Sequence, residues 1–187
     1  GKRLGSSLPK QFLKVRGRTI LEMSVKAFEQ NKPVSIYINI EEPDKCNSGY
    51  IAALNEREVS LLMLSDNGNV DALTVLSISQ VFRIDMDGTY EQLLADAHRQ
   101  AGNPYPSFTG GSGSLFKAIG EYAMKYHFPL WIAFHANDEI GDFGEVLEVM
   151  DDMIVITRLD DSKAENTSYI SMKHIDFIAC EYKTTNN

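Results

Sequence analysis

Apolar and polar residues alternate along this chain in a pattern that occurs twice. Residues 33–87 contain a series of short apolar runs, and residues 129–181 repeat those runs in the same order. Pro33 matches Pro129 at an offset of 96, Gly49 matches its counterpart at 95, and Ile78 matches its counterpart at 94. Two single-residue loop deletions therefore superpose the copies, and the chain is predicted to contain an internal repeat.

Each copy begins with a helical pattern and continues in period-two runs. Apolar residues at three- and four-residue spacings predict helices over residues 20–31 and 115–126, each followed closely by a proline. Alternation and turn signals predict five strands in the first copy, at residues 34–39, 50–54, 59–64, 73–78 and 81–86. One helix with five short antiparallel strands is typical of a small, strongly bent barrel. The predicted fold class is mainly β (α+β), with two tandem helix-plus-five-strand antiparallel small barrels.

The segments around the two copies complete the predicted organisation. A short helix is predicted over residues 90–100, and a Pro-containing and then Gly/Ser-rich linker follows over residues 101–114. Such a linker is expected to be stiff at its start and flexible at its end, so that the two barrels can choose their relative pose. The predicted division is a basic leader (1–19), a first barrel with flanking helices (20–100), the linker, and a second barrel (115–187).

Composition and charge restrict the possible partners. The chain has 187 residues, of which 43% are hydrophobic and 24% charged, as in ordinary soluble globular proteins. It shows neither a membrane-spanning run nor a signal peptide, so a cytoplasmic protein is expected. The net charge of −8 is uneven, because residues 1–22 hold six cations and one anion while the remainder holds 12 basic and 25 acidic residues. The acidic body would repel a phosphate backbone, so a nucleic-acid partner is not expected.

Few side chains are placed for chemistry. The four histidines do not show metal-ligand spacing, and the acidic loop with His135, Asp138, Glu139 and Asp142 is a weak candidate for Mg²⁺ or Ca²⁺. The acidic pairs in tight turns are expected to be solvated, the two cysteines to be reduced thiols, and the strand aromatics to lie in the core or an interface. These residues are Glu56, Glu58, Asp151, Asp152, Cys46, Cys180, Phe82, Trp131, Phe134 and Phe177. An enzymatic role and a metal site are therefore not predicted.

The order of elements resembles the Sm-like small β-barrel family. Its first motif is a glycine, alternating apolar positions, a short polar turn and an apolar run, and it matches residues 49–62 and 144–159. The resemblance covers about residues 20–87 and 115–181 and implies a duplicated Sm-like fold. The position of the family's uridine-binding asparagine holds Val59 in one copy and Ile154 in the other, so the polar partner for base recognition is missing.

Residues 1–30 separately resemble the CTP-binding segment of the methylerythritol-phosphate and sugar-phosphate cytidylyltransferases. The matching segments are residues 1–5 (Gly-Lys-Arg-Leu-Gly), 8–13 (Leu-Pro-Lys-Gln-Phe-Leu) and 17–22 (Gly-Arg-Thr-Ile-Leu-Glu). By this resemblance Arg3 and Lys10 would bind the triphosphate of CTP, with Mg²⁺ as a companion ion. The rest of such an enzyme is not found downstream, since neither alternating strand and helix units nor the family's acidic metal-binding segment follow.

Three functional hypotheses result. The preferred one is a non-catalytic interaction protein whose strand edges and aromatic faces meet a protein partner or another copy of the chain. The second is nucleotide binding, or a cytidylyltransferase fragment, acting through Arg3 and Lys10. The third is RNA binding in the Sm manner.

Overall fold

The computed structural model describes residues 19–102, 106–111, 113–134, 141–159 and 166–181. Its three α-helices are α1 (Ile20–Glu29), α2 (Thr89–Ala101) and α3 (Leu115–Tyr126). The first half contains the strands β1 (Pro33–Tyr37), β2 (Asn47–Leu54), β3 (Glu58–Leu64), β4 (Val70–Ser77) and β5 (Arg83–Met86). The second half contains β6 (Leu130–Ala133), β7 (Gly141–Val149), β8 (Met153–Arg158), β9 (Thr167–Ser171) and β10 (Phe177–Glu181).

All ten strands form one antiparallel sheet. Their order is β5-β1-β2-β3-β4-β10-β6-β7-β8-β9, so the fourth strand of the first half pairs with the fifth strand of the second half. We call this β4·β10 pairing the joint. The mainly β fold class is confirmed, whereas the prediction of two tandem small barrels is wrong, because the halves share a continuous open sheet. A physical reason is that two separate units would each leave a row of unpaired backbone groups at these edges.

The two halves repeat unusual backbone features at the offsets found in the sequence. Asn31 (φ 47°) and His127 (φ 56°) both adopt the left-handed conformation within two residues of the end of a helix. Gly49 and Gly144 both lie against the neighbouring strand, where an added Cβ would come within 2.0 and 2.4 Å of a backbone carbonyl oxygen. A side chain cannot fit at such a distance, so each second strand requires its glycine.

A β-bulge and a 3₁₀ turn also recur. The second strand of each half shifts register once, between Ile51 and Ala53 in β2 and between Val146 and Glu148 in β7. A single 3₁₀ turn separates the last two strands of each half, at Ile78–Gln80 and at Met172–His174. The halves therefore agree in local backbone geometry as well as in strand order.

The two halves bury opposite faces of the sheet. At the joint Leu76 is opposite Phe177, and both belong to the core cluster that includes Ala27 of α1. Leu73 is opposite Cys180, and both belong to the second cluster, which includes the buried residues of α3. Because adjacent residues of a strand point to opposite faces, the core of the first half and the core of the second half lie on different sides of the joint.

The helix α3 is held by the first half of the chain. Its own N-cap, Ser114, makes no side-chain cap to the backbone, and the carboxylate of Glu58 in β3 replaces that cap. Glu58 Oε2 accepts from the Leu115 backbone N–H at 2.5 Å, and Oε1 accepts from Ser114 Oγ at 2.9 Å. A carboxylate at a helix N-terminus satisfies free N–H groups and complements the helix dipole.

The described part of the linker is packed and does not lie free. Phe108 contacts Tyr122 edge-on with the ring centroids 5.6 Å apart, and the Tyr122 hydroxyl donates to the Pro106 carbonyl at 2.9 Å. Asn55 Nδ2 donates to the Gly113 carbonyl at 3.2 Å. The expectation that the linker lets the halves choose their pose is therefore wrong, since the joint, α3 and these contacts fix it. No helix in the described ranges is long and apolar enough to cross a membrane.

Candidate functional site

The candidate site consists of the two strands that end the sheet, β5 and β9. In the part of the chain that the structure describes, β5 pairs only with β1, and β9 pairs only with β8. We call the outer sides of β5 and β9 the free edges. Strand edges carry N–H and C=O groups in a row and can take up a further strand.

The backbone groups that β9 presents can be deduced from its pairing with β8. The Met172 N–H donates to Asp152 O at 2.9 Å, and the Arg158 N–H donates to Asn166 O at 2.9 Å. Since hydrogen-bonded pairs alternate along an antiparallel ladder, every second residue from 166 to 172 points its backbone groups toward β8. The residues between them, Thr167, Tyr169 and Ser171, therefore point their N–H and C=O groups to the free edge.

The side chains of β9 leave that edge accessible. Its sequence, Thr-Ser-Tyr-Ile-Ser, contains no charge and no proline, and Tyr169 is 69% exposed. Ile170, by contrast, is 6% exposed and anchors the strand to the core. Charges and prolines are common means of blocking an edge, so β9 lacks the usual obstacles to strand addition.

The β5 edge is shorter and charged. The Arg83 guanidinium pairs with the Asp85 carboxylate and lies over the Tyr37 ring, 4.3 Å from its centroid. The Tyr37 hydroxyl donates to Asp85 Oδ2 at 3.1 Å. Burial, the nearby Cys46 and Asp85 raise the pKa of Tyr37 to about 12, and the hydrogen bond to Asp85 raises the pKa of Arg83. The β5 edge therefore offers a fixed positive and negative pair beside its backbone groups.

The joint shows how two such edges pair in this protein. The Ser77 N–H donates to Asp176 O at 3.1 Å, which places Val75 and Ile178 among the hydrogen-bonded pairs of β4 and β10. At an offset of 94, β9 corresponds to β4 and β5 corresponds to β10. The two strands with free edges, β9 and β5, are thus the repeat equivalents of β4 and β10, which already pair inside the chain.

Of the residues predicted to bind a nucleotide or a metal ion, only Asp142 lies within the described residues. Arg3, Lys10, His135, Asp138 and Glu139 lie outside the described residues, so their predicted roles remain predictions. Asp142 forms an ion pair with Arg158, with 3.1 Å between Oδ1 and Nε. Among the described residues, no group of three or more His, Cys, Asp or Glu side chains could hold a metal ion.

The acidic turn residues have more specific roles than solvation. Glu58 caps α3, as described above, and Asp151 pairs with Lys117 of α3 at 2.5 Å. The expectation that these acids only solvate exposed loops is wrong for Glu58, which caps α3, whereas the Asp151 side chain is 97% exposed and stays solvated beside its ion pair. The sequence pattern could not have shown this, since residue 58 lies 57 positions before residue 115.

His98, His127 and the two cysteines occupy structural positions. His98 Nδ1 lies 2.8 Å from Gly68 O, its ring is 5.4 Å from that of Tyr50, and His127 is the left-handed C-cap of α3. Cys46 and Cys180 are both free thiols. Burial of Cys180 in β10 raises its thiol pKa to about 12.

The positions that carry RNA recognition in the Sm-like resemblance are apolar and inaccessible. Val59 and Ile154 are both 0% exposed. They belong to opposite core clusters, in which they pack against other hydrophobic residues.

Comparison of the chain with protein-family models, with curated proteins and with solved structures gave no match.

Proposed function

We propose that this protein is a non-catalytic binding protein, built from a duplicated Sm-like unit, that acts by strand pairing at its free edges. The partner is the complementary edge of a second copy of the chain, so β9 of one copy pairs with β5 of the next. The observation that carries the proposal is the joint, in which the equivalent strands β4 and β10 pair over five residues each. The Sm-like origin of the unit is supported by the sequence resemblance.

The joint supplies a register for this association. It pairs Leu73 with Cys180 and Val75 with Ile178. Shifting every residue by the repeat offset of 94 places Thr167 opposite Met86 and Tyr169 opposite Ile84 of the neighbouring copy. These are the β9 residues whose backbone groups point outward, so the register matches donors with acceptors.

The side chains at the free edges should make pairing between copies weaker than the β4·β10 pairing in the joint. Phe177 and Ala179 of the joint correspond to Arg83 and Asp85 at the β5 edge, so charged groups replace apolar ones. Because β5 and β9 are different surfaces, the contact is heterologous, and successive copies form a ring or an open filament. A reversible, concentration-dependent series of oligomers is therefore expected.

Sedimentation velocity and light scattering over about 1–100 μM test the proposal, a range chosen to span ordinary protein affinities. We expect the mass to rise with concentration. Tyr169→Pro should weaken association by about tenfold, because it removes one outward N–H and its hydrogen bond across the contact. Its effect on folding should be small, since that N–H does not take part in the β8·β9 ladder.

A matched pair of variants separates the edge from general surface charge. Tyr169→Lys adds a cation at the β9 edge, and Leu93→Lys adds one at a 64% exposed position of α2. Only the first should reduce association. The proposal would be overturned by a chain that stays monomeric at every concentration, or by Tyr169→Pro and Tyr169→Lys variants that associate like the unaltered protein.

A further inference from the structure

A groove crosses the face of the sheet at the joint, away from both free edges. It has a volume of about 500 Å³ and contains residues of five strands, β2, β3, β4, β6 and β10. Its apolar floor includes Met63, Ala72, Phe177 and Ala179. A groove of this size can hold an amino-acid side chain or a small ligand.

Trp131 lies beside this floor, with its indole ring against the neighbouring strand. Its position in β6 is opposite Ala179, and the side chain is half-buried. A Cβ added to Gly141 would come within 3.0 Å of Trp131 Cζ2, so the ring rests against the glycine backbone of the adjacent strand. The half-buried indole therefore contributes an aromatic surface to the groove.

Two carboxylates complete the groove. Glu181 lies two residues beyond Ala179 on β10, which puts it diagonally across from Trp131, at the separation of about 7 Å that long side chains can bridge. Asp71 is the extra residue of a β-bulge, because Met63 pairs with Ala72 but Leu64 pairs with Val70. A bulge redirects a side chain, and Asp71 lines the groove together with Glu181.

The charge of the groove selects its ligand. The described residues that line it include Asp71 and Glu181 and no cationic side chain. Burial and then the neighbouring Asp66 raise the pKa of Asp71, so the charged form of this exposed carboxyl is less favoured than in water. A cation in the groove would relieve this repulsion, whereas an anion would add to it.

We propose that the groove binds a guanidinium group, with Trp131 stacking on its plane and the carboxylates of Asp71 and Glu181 accepting its hydrogen bonds. Guanidinium is planar, weakly hydrated and forked, so it can stack on indole and bind carboxylates at once. A compact ammonium ion is more strongly hydrated and gains less in an open groove. The inference does not depend on strand pairing at the free edges.

Binding in the groove can be followed by intrinsic fluorescence, because Trp131 is the only tryptophan of the chain. Titration of the full chain with N-acetyl-arginine amide should change the indole fluorescence saturably, with a dissociation constant on the order of 1 mM for so small a ligand. The matched neutral probe is N-acetyl-citrulline amide, which has nearly the same shape and lacks the charge. It should bind at least about tenfold more weakly.

Substitutions locate the binding in the groove. Asp71→Asn and Glu181→Gln should each weaken arginine binding by about fivefold, as expected for loss of one charged acceptor. Glu148→Gln removes the same charge from an exposed position of β7 outside the groove and should have no effect. Equal affinity for the citrulline probe, or an equal effect of Glu148→Gln, would overturn the proposal.

A second titration distinguishes an external ligand from the chain's own arginines. Arg3, Arg16 and Arg18 belong to the same chain and carry the same group. If the unaltered chain does not respond but the Arg3→Gln, Arg16→Gln, Arg18→Gln triple variant does, the guanidinium is supplied by the leader. If neither chain responds at about 20 mM arginine probe, well above the expected dissociation constant, the groove does not bind this group.

Discussion

The joint and the free edges use equivalent strands with different side chains. In the joint, Val75 and Ile178 are both 0% exposed, while the corresponding Tyr169 at the free edge of β9 is 69% exposed. Phe177 in β10 corresponds to Arg83 in β5, and Leu73 in β4 corresponds to Thr167 in β9. The backbone offers the same hydrogen bonds in both places, so the side chains decide whether an edge is permanently buried.

This comparison explains why one pairing is part of the fold and the other is available for association. Apolar side chains in the joint gain free energy by leaving water on both faces of the sheet. The polar residues of β9 and the charged pair of β5 gain little from burial, because their hydration would have to be replaced. A duplicated unit can thus keep one strand pairing inside the chain and reserve a weaker one for partners.

The largest expected effect on stability comes from truncating an isoleucine in the joint, compared with truncating the equivalent isoleucine at the free edge of β5. Ile178→Ala in the joint should lower the free energy of unfolding by about 3 kcal/mol, because it leaves a cavity at a fully buried site. Ile84→Ala, its equivalent in the half-buried β5, should cost about 1 kcal/mol. Urea unfolding of the two variants measures the difference. Equal losses would show that the joint is no more buried than the free edge.

Much of the local structure could be predicted from the sequence. The helix over residues 115–126 has the predicted bounds, and the strands of the first half lie within a few residues of the predicted ones. The offsets of 96, 95 and 94 recur in the left-handed residues, the glycines and the 3₁₀ turns. These features depend on local patterns, which alternation, prolines and glycines record directly.

The joint and the cap of α3 could not be predicted in the same way. Both connect residues far apart in the chain, and alternation does not say which edges meet. One signal was present, since Leu73–Leu76 and Phe177–Cys180 are continuous apolar or small runs, which indicate strands buried on both faces. The role of Glu58 had no local signal, because its partner is the N-terminus of a helix in the other half.

Cys180 is expected to make the free energy of unfolding depend on pH, by up to about 1.4 kcal/mol per pH unit. The equivalent position at the free edge holds Met86, which does not titrate. Its folded pKa, about 12, exceeds the ordinary value of 9.0, so its stabilising contribution is complete below pH 9 and is lost as the pH rises toward 12. Between pH 9 and 10 the unfolded state loses the proton and the folded state keeps it, so stability falls by up to about 1.4 kcal/mol per pH unit.

Urea unfolding from pH 8 to 10 measures this slope in the unaltered chain and in Cys180→Ala. Tyr37 is the other described group with a pKa near 12, and its ordinary value of 10.0 keeps its contribution outside most of this interval. The slope should decrease in Cys180→Ala and remain in Cys46→Ala. A slope that survives Cys180→Ala unchanged would mean that Cys180 is not the group whose titration sets the pH dependence.

The smallest expected effect concerns the cap of α3, a second contact between the two halves besides the joint. Glu58→Gln should reduce the free energy of unfolding by about 1 kcal/mol, because the neutral amide is a weaker acceptor for the Leu115 N–H and loses the favourable interaction with the dipole of α3. Glu56→Gln removes the same charge from the exposed neighbouring turn and should change stability by less than about 0.5 kcal/mol. If thermal and urea unfolding give equal losses for the two variants, Glu58 acts only through net charge and does not cap α3.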